Sequence, residues 1–275
     1  MDWLKRFLVV CPAFLLLTAQ LAAGDSAFDA ACTKALGKRR GAVILLALPG
    51  GNVLREYGGA MARRKFYGSS IYKPLAAYAL LKEGVIKPEE KLATSRRVLV
   101  ERYSVTIESR YEEDGKQVDL AHAIAVSSNS YFYRMGARLD PAIFLKYYRE
   151  FGLEACVRPP ATPEEKAEFP AHGGKCVRAS AQDLVPYLKK LALEPSSEMV
   201  FVRGAMRLAV TEGTGQGANV EGMELCGKTG WLNGAGLFIA FAPQGKPSLG
   251  IIVAIPGATG SEAATVAGEV LKAIK

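Results

Sequence analysis

The sequence predicts an α+β fold: a five-stranded antiparallel sheet flanked by N- and C-terminal helices, with a mainly helical lobe inserted into it. Three observations carry this. Two strand-like runs near the start, GAVILLAL and NVLREY, flank Pro49-Gly50-Gly51-Asn52, a strong hairpin signal. Three more at the end, MELCGKT, GLFIAFA and SLGIIVAI, are separated by Gly- and Pro-rich turns. Between these groups, over about residues 67–221, the apolar residues recur with a helical rather than a strand period.

Taken in order, the elements follow from local chemistry. Ser26 caps a short helix, FDAACTKAL, ahead of the first hairpin. YKPLAAYALLKEG has the helical period and a glycine stop, and VDLAHAIAVSS opens at a capping Asp119. PAIFLKYYREFG begins with Asp140-Pro141, a cap followed by a first-turn proline. AQDLVPYLKKLAL is capped by Ser180, SEMVFVRGAMRLAVTEG ends in glycine, and a final helix opens at Ser261-Glu262 and runs to Lys275. Strands from both ends of the chain, each end also bringing a helix, close most simply into one sheet with a second lobe beside it. The cleft between the lobes is the expected site.

With 275 residues, 49% apolar and 23% charged, the chain has the composition of an ordinary globular protein large enough for a sizeable core. Residues 1–24 differ: MDWLKR is followed by the uncharged run FLVVCPAFLLLTAQLAA, the layout of a secretory signal peptide cut near Ala22-Ala23-Gly24. An uncleaved N-terminal anchor is the second choice. The chain is therefore expected in the periplasm or extracytoplasmic envelope, with residues 25–275 as the mature domain. Removing Lys5, Arg6 and Asp2 with the leader lowers the formal charge from +8 to +7. Clusters such as Lys38-Arg39-Arg40 and Arg63-Arg64-Lys65 suit peripheral association with anionic lipid or wall polymer, although scattered solvated lysines explain them as well. No aromatic motif is interleaved with the basic clusters, which argues against nucleic acid.

Four cysteines remain after the leader, and an even count in an oxidising compartment suggests two disulfides. Cys156 with Cys176, bracketing one irregular stretch, and Cys32 with Cys226 are the expected pairs; free buried thiols are the alternative. With no C-x-x-C and two distant histidines, His122 and His172, neither a metal nor another cofactor is expected.

The stretch Gly222–Thr229, GMELCGKT, fits the phosphate-loop pattern letter for letter. A phosphate loop must run into a helix whose amides hold the phosphates. Here Gly-Trp-Leu-Asn-Gly-Ala-Gly follows, which starts a turn, so Lys228-Thr229-Gly230 is better read on an edge strand. Two distant companions support that reading. Ser70 and Lys73 stand three apart at a helix start, on one face. A serine hydroxyl needs a neighbouring base, and a lysine serves only if burial or a second cation lowers its pKa; Lys228 is such a cation. The other is Ser127-Ser128-Asn129-Ser130, where a hydroxyl and an amide follow an amphipathic helix. Each motif alone is weak: a capped helix or a polar turn explains it.

In this order, S-x-x-K, S-x-N and K-T-G resemble the signature of the penicillin-binding protein and serine β-lactamase superfamily. The similarity spans nearly everything after the leader, including VDLAHAIAVSSNSYFYRMG and EGTGQGANVEGMELCGKTG. The resemblance implies Ser70 as nucleophile, Lys73 as its base, Ser127 as proton shuttle and Asn129 as ligand of the substrate amide. It also implies Lys228 and Thr229 as carboxylate ligands, with the amides of Ser70 and Trp231, beside Gly230, as the oxyanion hole. The implied partners are peptidoglycan stem peptides ending in D-Ala-D-Ala, and β-lactams.

Trp231 departs from the Thr or Ser usual after K-T-G and resembles class D β-lactamases, and the compact spacing, 57 positions from Ser70 to Ser127 and 99 from Asn129 to Lys228, resembles a stand-alone β-lactamase more than a large transpeptidase. Asn129, where that class usually has valine, stands against class D, and the lack of an E-x-x-L-N segment stands against class A. Glu164, Glu165 and Glu168 read as a charged surface loop. A D,D-transpeptidase or carboxypeptidase is the first expectation. A β-lactamase and a non-catalytic interaction module are the alternatives. His122 and the acidic run Glu112-Glu113-Asp114 read as peripheral, and Tyr131, Phe132 and Tyr133 as core.

Overall fold

The computed structural model describes residues 25–109 and 112–275; the expected leader lies outside them. Helix α1 (Asp25–Leu36) precedes β1 (Ala42–Ala47) and β2 (Asn52–Tyr57), joined through the expected hairpin. The chain returns much later as β3 (Cys226–Leu232), β4 (Ala235–Ala242) and β5 (Leu249–Pro256), then closes with α9 (Gly260–Ile274). The sheet order is β2-β1-β5-β4-β3, antiparallel throughout, as expected.

Alternation along the strands sorts their side chains onto two cores. Val43, Leu45, Ile251, Val253, Phe238 and Ala240 face α1 and α9. Ile44, Leu46, Ile252, Leu237 and Ile239 face the inserted lobe. The three inner strands are covered on both sides, which is why they read as continuous apolar runs. At the start of α9, Thr259 accepts from the Glu262 amide and Glu262 from the Thr259 amide, a reciprocal cap.

The insert packs α2 (Lys73–Lys82), α3 (Leu120–Ala125), α4 (Asn129–Gly136), α5 (Pro141–Tyr148), α6 (Pro163–His172), α7 (Leu184–Leu193) and α8 (Ser197–Thr211), with short two-stranded ribbons between them. Asp119 caps α3 through the His122 amide and Asp140 caps α5, as the sequence implies. Two caps differ: Ser26 lies inside α1, and Ser180 pairs with Asp183 in a turn just ahead of α7. Tyr131, Phe132 and Tyr133 are buried core residues. Among the described residues no helix is long and apolar enough to cross a membrane.

The expected disulfides are corrected: all four described cysteines are free, buried thiols. Val157 pairs with Val177 in an antiparallel bridge, which sets Cys156 and Cys176 diagonal to one another rather than opposed. Diagonal neighbours stand about 7–8 Å apart, beyond the reach of a disulfide. Cys32 belongs to the core under α1 and Cys226 to the core under the insert, so the sheet itself separates them. Burial raises both thiols to about 12.

Candidate active site

Four segments converge where the insert meets β3. The first is a 3-10 turn, Ser70–Tyr72, running directly into α2. Ser70 opens the turn, and Pro74 occupies the first turn of α2, where a missing N–H costs nothing. Tyr187 of α7 donates to the Ile71 carbonyl at 2.8 Å and so fixes the turn from below. Lys73 follows Ser70 by one helical turn and is fully buried.

The second segment links α3 to α4. Ser127 has φ 62°, left-handed backbone for a residue with a side chain, a conformation costing roughly 1–2 kcal/mol. That geometry delivers both of its oxygens to Lys73: the ammonium donates to the Ser127 carbonyl at 2.5 Å and to Ser127 Oγ at 3.2 Å. Lys73 also donates to Asn129 Oδ1 at 2.6 Å, which completes its three N–H bonds. Its nitrogen lies 5.8 Å from the centre of the Phe132 ring.

The third segment is β3, at the sheet edge. Lys228 faces the insert and is also fully buried, while Thr229 lies on the opposite face, beside the start of α9. Gly230 is dictated by crowding: a Cβ there would stand 2.2 Å from Ser69 Oγ and 2.8 Å from Ile71 Cγ2. Only a residue without a side chain lets β3 lie this close to the Ser70 turn. Trp231 is 45% exposed at the outer end of the same strand. No helix follows Thr229, so the phosphate-loop reading fails on geometry.

The fourth segment is the loop after α8, where Thr214 Oγ1 and Thr229 Oγ1 share a 2.5 Å hydrogen bond and Thr214 N–H donates to the Ala125 carbonyl. The structure therefore brings Ser70, Lys73, Ser127, Asn129, Lys228, Thr229, Gly230 and Trp231 into one region. Thr214, Tyr187 and Glu112 were not recognisable as parts of it. Thr214 stands in a Gly-rich turn and Tyr187 in an ordinary amphipathic helix, and neither pattern signals chemistry.

Electrostatics follow from burial. Desolvation, and then the neighbouring Lys228 charge, hold Lys73 well below the ordinary lysine range, while Glu112 pulls it back up. Desolvation lowers Lys228 to about 7. Two amines that readily exist uncharged thus lie beside a serine, the state a lysine needs to accept a proton. Three acceptors around Lys73 offset part of that effect by stabilising its ammonium.

The peripheral reading holds for His122 but not for Glu112, which contacts the first turn of α4. His122 is exposed and pairs with Asp119. Glu164, Glu165 and Glu168, expected in a surface loop, stand instead on α6, where Glu165 pairs with Arg158 at 2.5 and 2.9 Å. His172, unlike His122, is buried and held neutral, with Tyr133 on one ring nitrogen and the Gly174 amide on the other.

The penicillin binding protein transpeptidase domain matches residues 57–275. The chain belongs to that family. Solved structures agree in fold at low identity. The D,D-transpeptidase domain of a peptidoglycan glycosyltransferase from Eggerthella lenta has TM-score 0.77 and 18% identity, covering 90% of this chain and 81% of that one. Pseudomonas aeruginosa PBP2, in complex with WCK 5153, has TM-score 0.75 and 19% identity, covering 90% and 74%. A peptidoglycan glycosyltransferase from Burkholderia ambifaria has TM-score 0.74 and 18% identity, covering 93% of each chain. No curated protein matches the sequence.

Proposed function

We propose that this transpeptidase-family domain is an exported serine acyl-transfer enzyme acting on D-Ala-D-Ala wall peptides, as D,D-transpeptidase or carboxypeptidase, and that β-lactams acylate it. The observation that carries the reading is the buried Lys73. It stands one turn from Ser70, is bonded to Ser127 and Asn129, and has a second buried lysine in its field.

Ser70 Oγ attacks the carbonyl carbon of the penultimate D-Ala, and its proton passes to the Lys73 amine, which releases one of its present contacts to receive it. The carbonyl oxygen becomes an oxyanion held by the amides of Ser70 and Trp231, each such donor being worth about 2.7–4 kcal/mol. As the C–N bond breaks, a proton returns through Ser127 Oγ to the departing D-Ala nitrogen. That leaves an ester on Ser70, which water or an amine of a second peptide then takes over. Asn129 holds the donor's amide, and Lys228 with Thr229 holds its terminal carboxylate. A β-lactam follows the same route, but its leaving group stays tethered through the opened ring, so the ester is long-lived. The chain's similarity to wall-synthesis domains and its apolar leader support a site outside the cytoplasmic membrane.

Intact-protein mass of the mature domain after mixing with benzylpenicillin, followed over hours, tests this. A lasting adduct on wild type and none on Ser70→Ala is expected. An adduct that decays as the drug is hydrolysed makes the protein a β-lactamase. No adduct on either protein overturns the enzymatic reading in favour of an interaction module.

A further inference from the structure

The sequence offers Glu112 as one more charge in a solvated acidic loop. The structure disagrees. Its Oε2 accepts from the Ser130 amide at 3.0 Å and from Ser109 Oγ at 2.7 Å. Ser130 is the second residue of α4, directly after Asn129, so the carboxylate grips the turn that presents Asn129 Oδ1 to Lys73. Its carbonyl is held in turn by Arg96 Nε at 2.9 Å. Glu112 Oε1 is buried and has no hydrogen-bond partner among the described residues, although a buried carboxylate oxygen ordinarily finds one.

We propose that Glu112 is a positioning residue for acyl transfer: one carboxylate oxygen fixes the first turn of α4, and the negative charge supports Lys73 when it becomes an ammonium. The proposal rests on the functional reading above. It answers a problem that reading creates. When Lys73 takes the proton from Ser70, a positive charge appears in a dry site beside Lys228, and both features oppose it. The carboxylate supplies the opposite charge without touching Lys73, whose hydrogen bonds stay with Ser127 and Asn129.

Other groups in range do not substitute. His172 is neutral and feels the Lys73 charge as a destabilising one. Tyr133, in whose surroundings both Glu112 and Glu168 count, has a hydroxyl pushed further from ionising. Lys228 repels, and Phe132 offers a ring face alone. Among the described charged groups that act on Lys73, Glu112 alone raises its basicity.

The test is the pH profile of the acylation rate with a chromogenic β-lactam, together with a melting temperature for each variant. Glu112→Gln keeps a carbonyl oxygen for Ser130 and Ser109 but removes the charge. Lys73 then loses its proton at lower pH, so the acidic limb of the profile moves down by about one pH unit, as a unit charge several ångströms away requires. The plateau falls about tenfold, because the weaker base accepts the serine proton less readily. Glu112→Asp keeps the charge and restores the position of the limb, while its shorter reach leaves the plateau low. A folded Glu112→Gln whose limb stays within about 0.2 of wild type would overturn the proposal, since loss of a purely structural contact lowers the plateau alone. Should that variant not fold, Glu112→Ala carries the same requirement on the limb. If the wild type forms no Ser70 adduct, both the functional reading and this proposal fall; if it does and the limb does not move, this proposal falls alone.

Discussion

Gly230→Ala perturbs a contact that the reaction geometry depends on. The new methyl carbon would stand 2.2 Å from Ser69 Oγ, 3.0 Å from Ser69 Cβ and 2.8 Å from Ile71 Cγ2. Rotating the Ser69 hydroxyl clears only the first of these, so β3 and the Ser70 turn must separate. Reaching ordinary contact at about 3.4 Å from the other two then requires an opening of about 0.4–0.6 Å, and Tyr187 prevents the turn from retreating. Overpacking of this size costs about 1–3 kcal/mol of stability, which lowers the melting temperature by about 2–12 °C in a domain of this length. The chemistry is affected as well. An opening of about 0.5 Å between the oxyanion-hole strand and the nucleophile is expected to slow acylation about tenfold. The assay is single-turnover acylation by benzylpenicillin, read by mass, beside a thermal melt. Gly234→Ala serves as control: it sits in the β3–β4 turn with φ +74°, and nothing lies within 4 Å of its would-be Cβ. It costs backbone strain without crowding, so it destabilises while leaving the acylation rate unchanged. A Gly230→Ala domain that acylates at the wild-type rate would refute the claim that close approach of β3 sets the geometry.

Lys228 and the cysteines give two more tests. Burial lowers Lys228 to about 7, against about 10.5 when unfolded, so between these values the unfolded chain binds the extra proton and stability rises with pH. Its contribution to that slope is on the order of 1 kcal/mol per pH unit; in urea melts at pH 7, 8 and 9, Lys228→Met should flatten the rise while abolishing acylation. The thiols, all buried and three of them raised to about 12 by that burial, should ignore thiol reagents in the native state. Alkylation of the unfolded, unreduced mature domain should add four groups; two or none would restore the disulfides.

What the sequence discloses and what it hides divide along a physical line. The inner strands were legible because burial on both faces leaves an uninterrupted apolar run, as in GLFIAFA. Asp119 and Asp140 were legible because a cap acts within three residues of itself. Ser70, Lys73, Ser127, Asn129 and the Lys228 strand were found because each motif is local, even though the three lie far apart along the chain. Contacts between segments left no such trace. Glu112 looks like its solvated neighbours Glu113 and Asp114 until α4 is placed against it. Counting cysteines ignores which side of a sheet each faces, and that decided the outcome for Cys32 and Cys226. The irregular helical stretch from Arg149 to Cys156, which turns at Gly152 with φ 79°, had no regular period to read.

The sheet has an implication for how the chain assembles. β1 pairs along its whole length with β5, Ala42 opposite Ala254 and Ala47 opposite Leu249, a partner made some 200 residues later. Until β5 emerges, β1 and β2 form only a two-stranded ribbon, which is marginal in water, and the insert helices have no completed floor to rest on. Contacts this distant in sequence make folding slow, because a long loop must be closed before any of them repays the cost. The sheet is therefore completed only late in synthesis, when β5 becomes available to β1. The buried lysines reinforce the delay, since the site that holds them exists only once both ends of the chain have met.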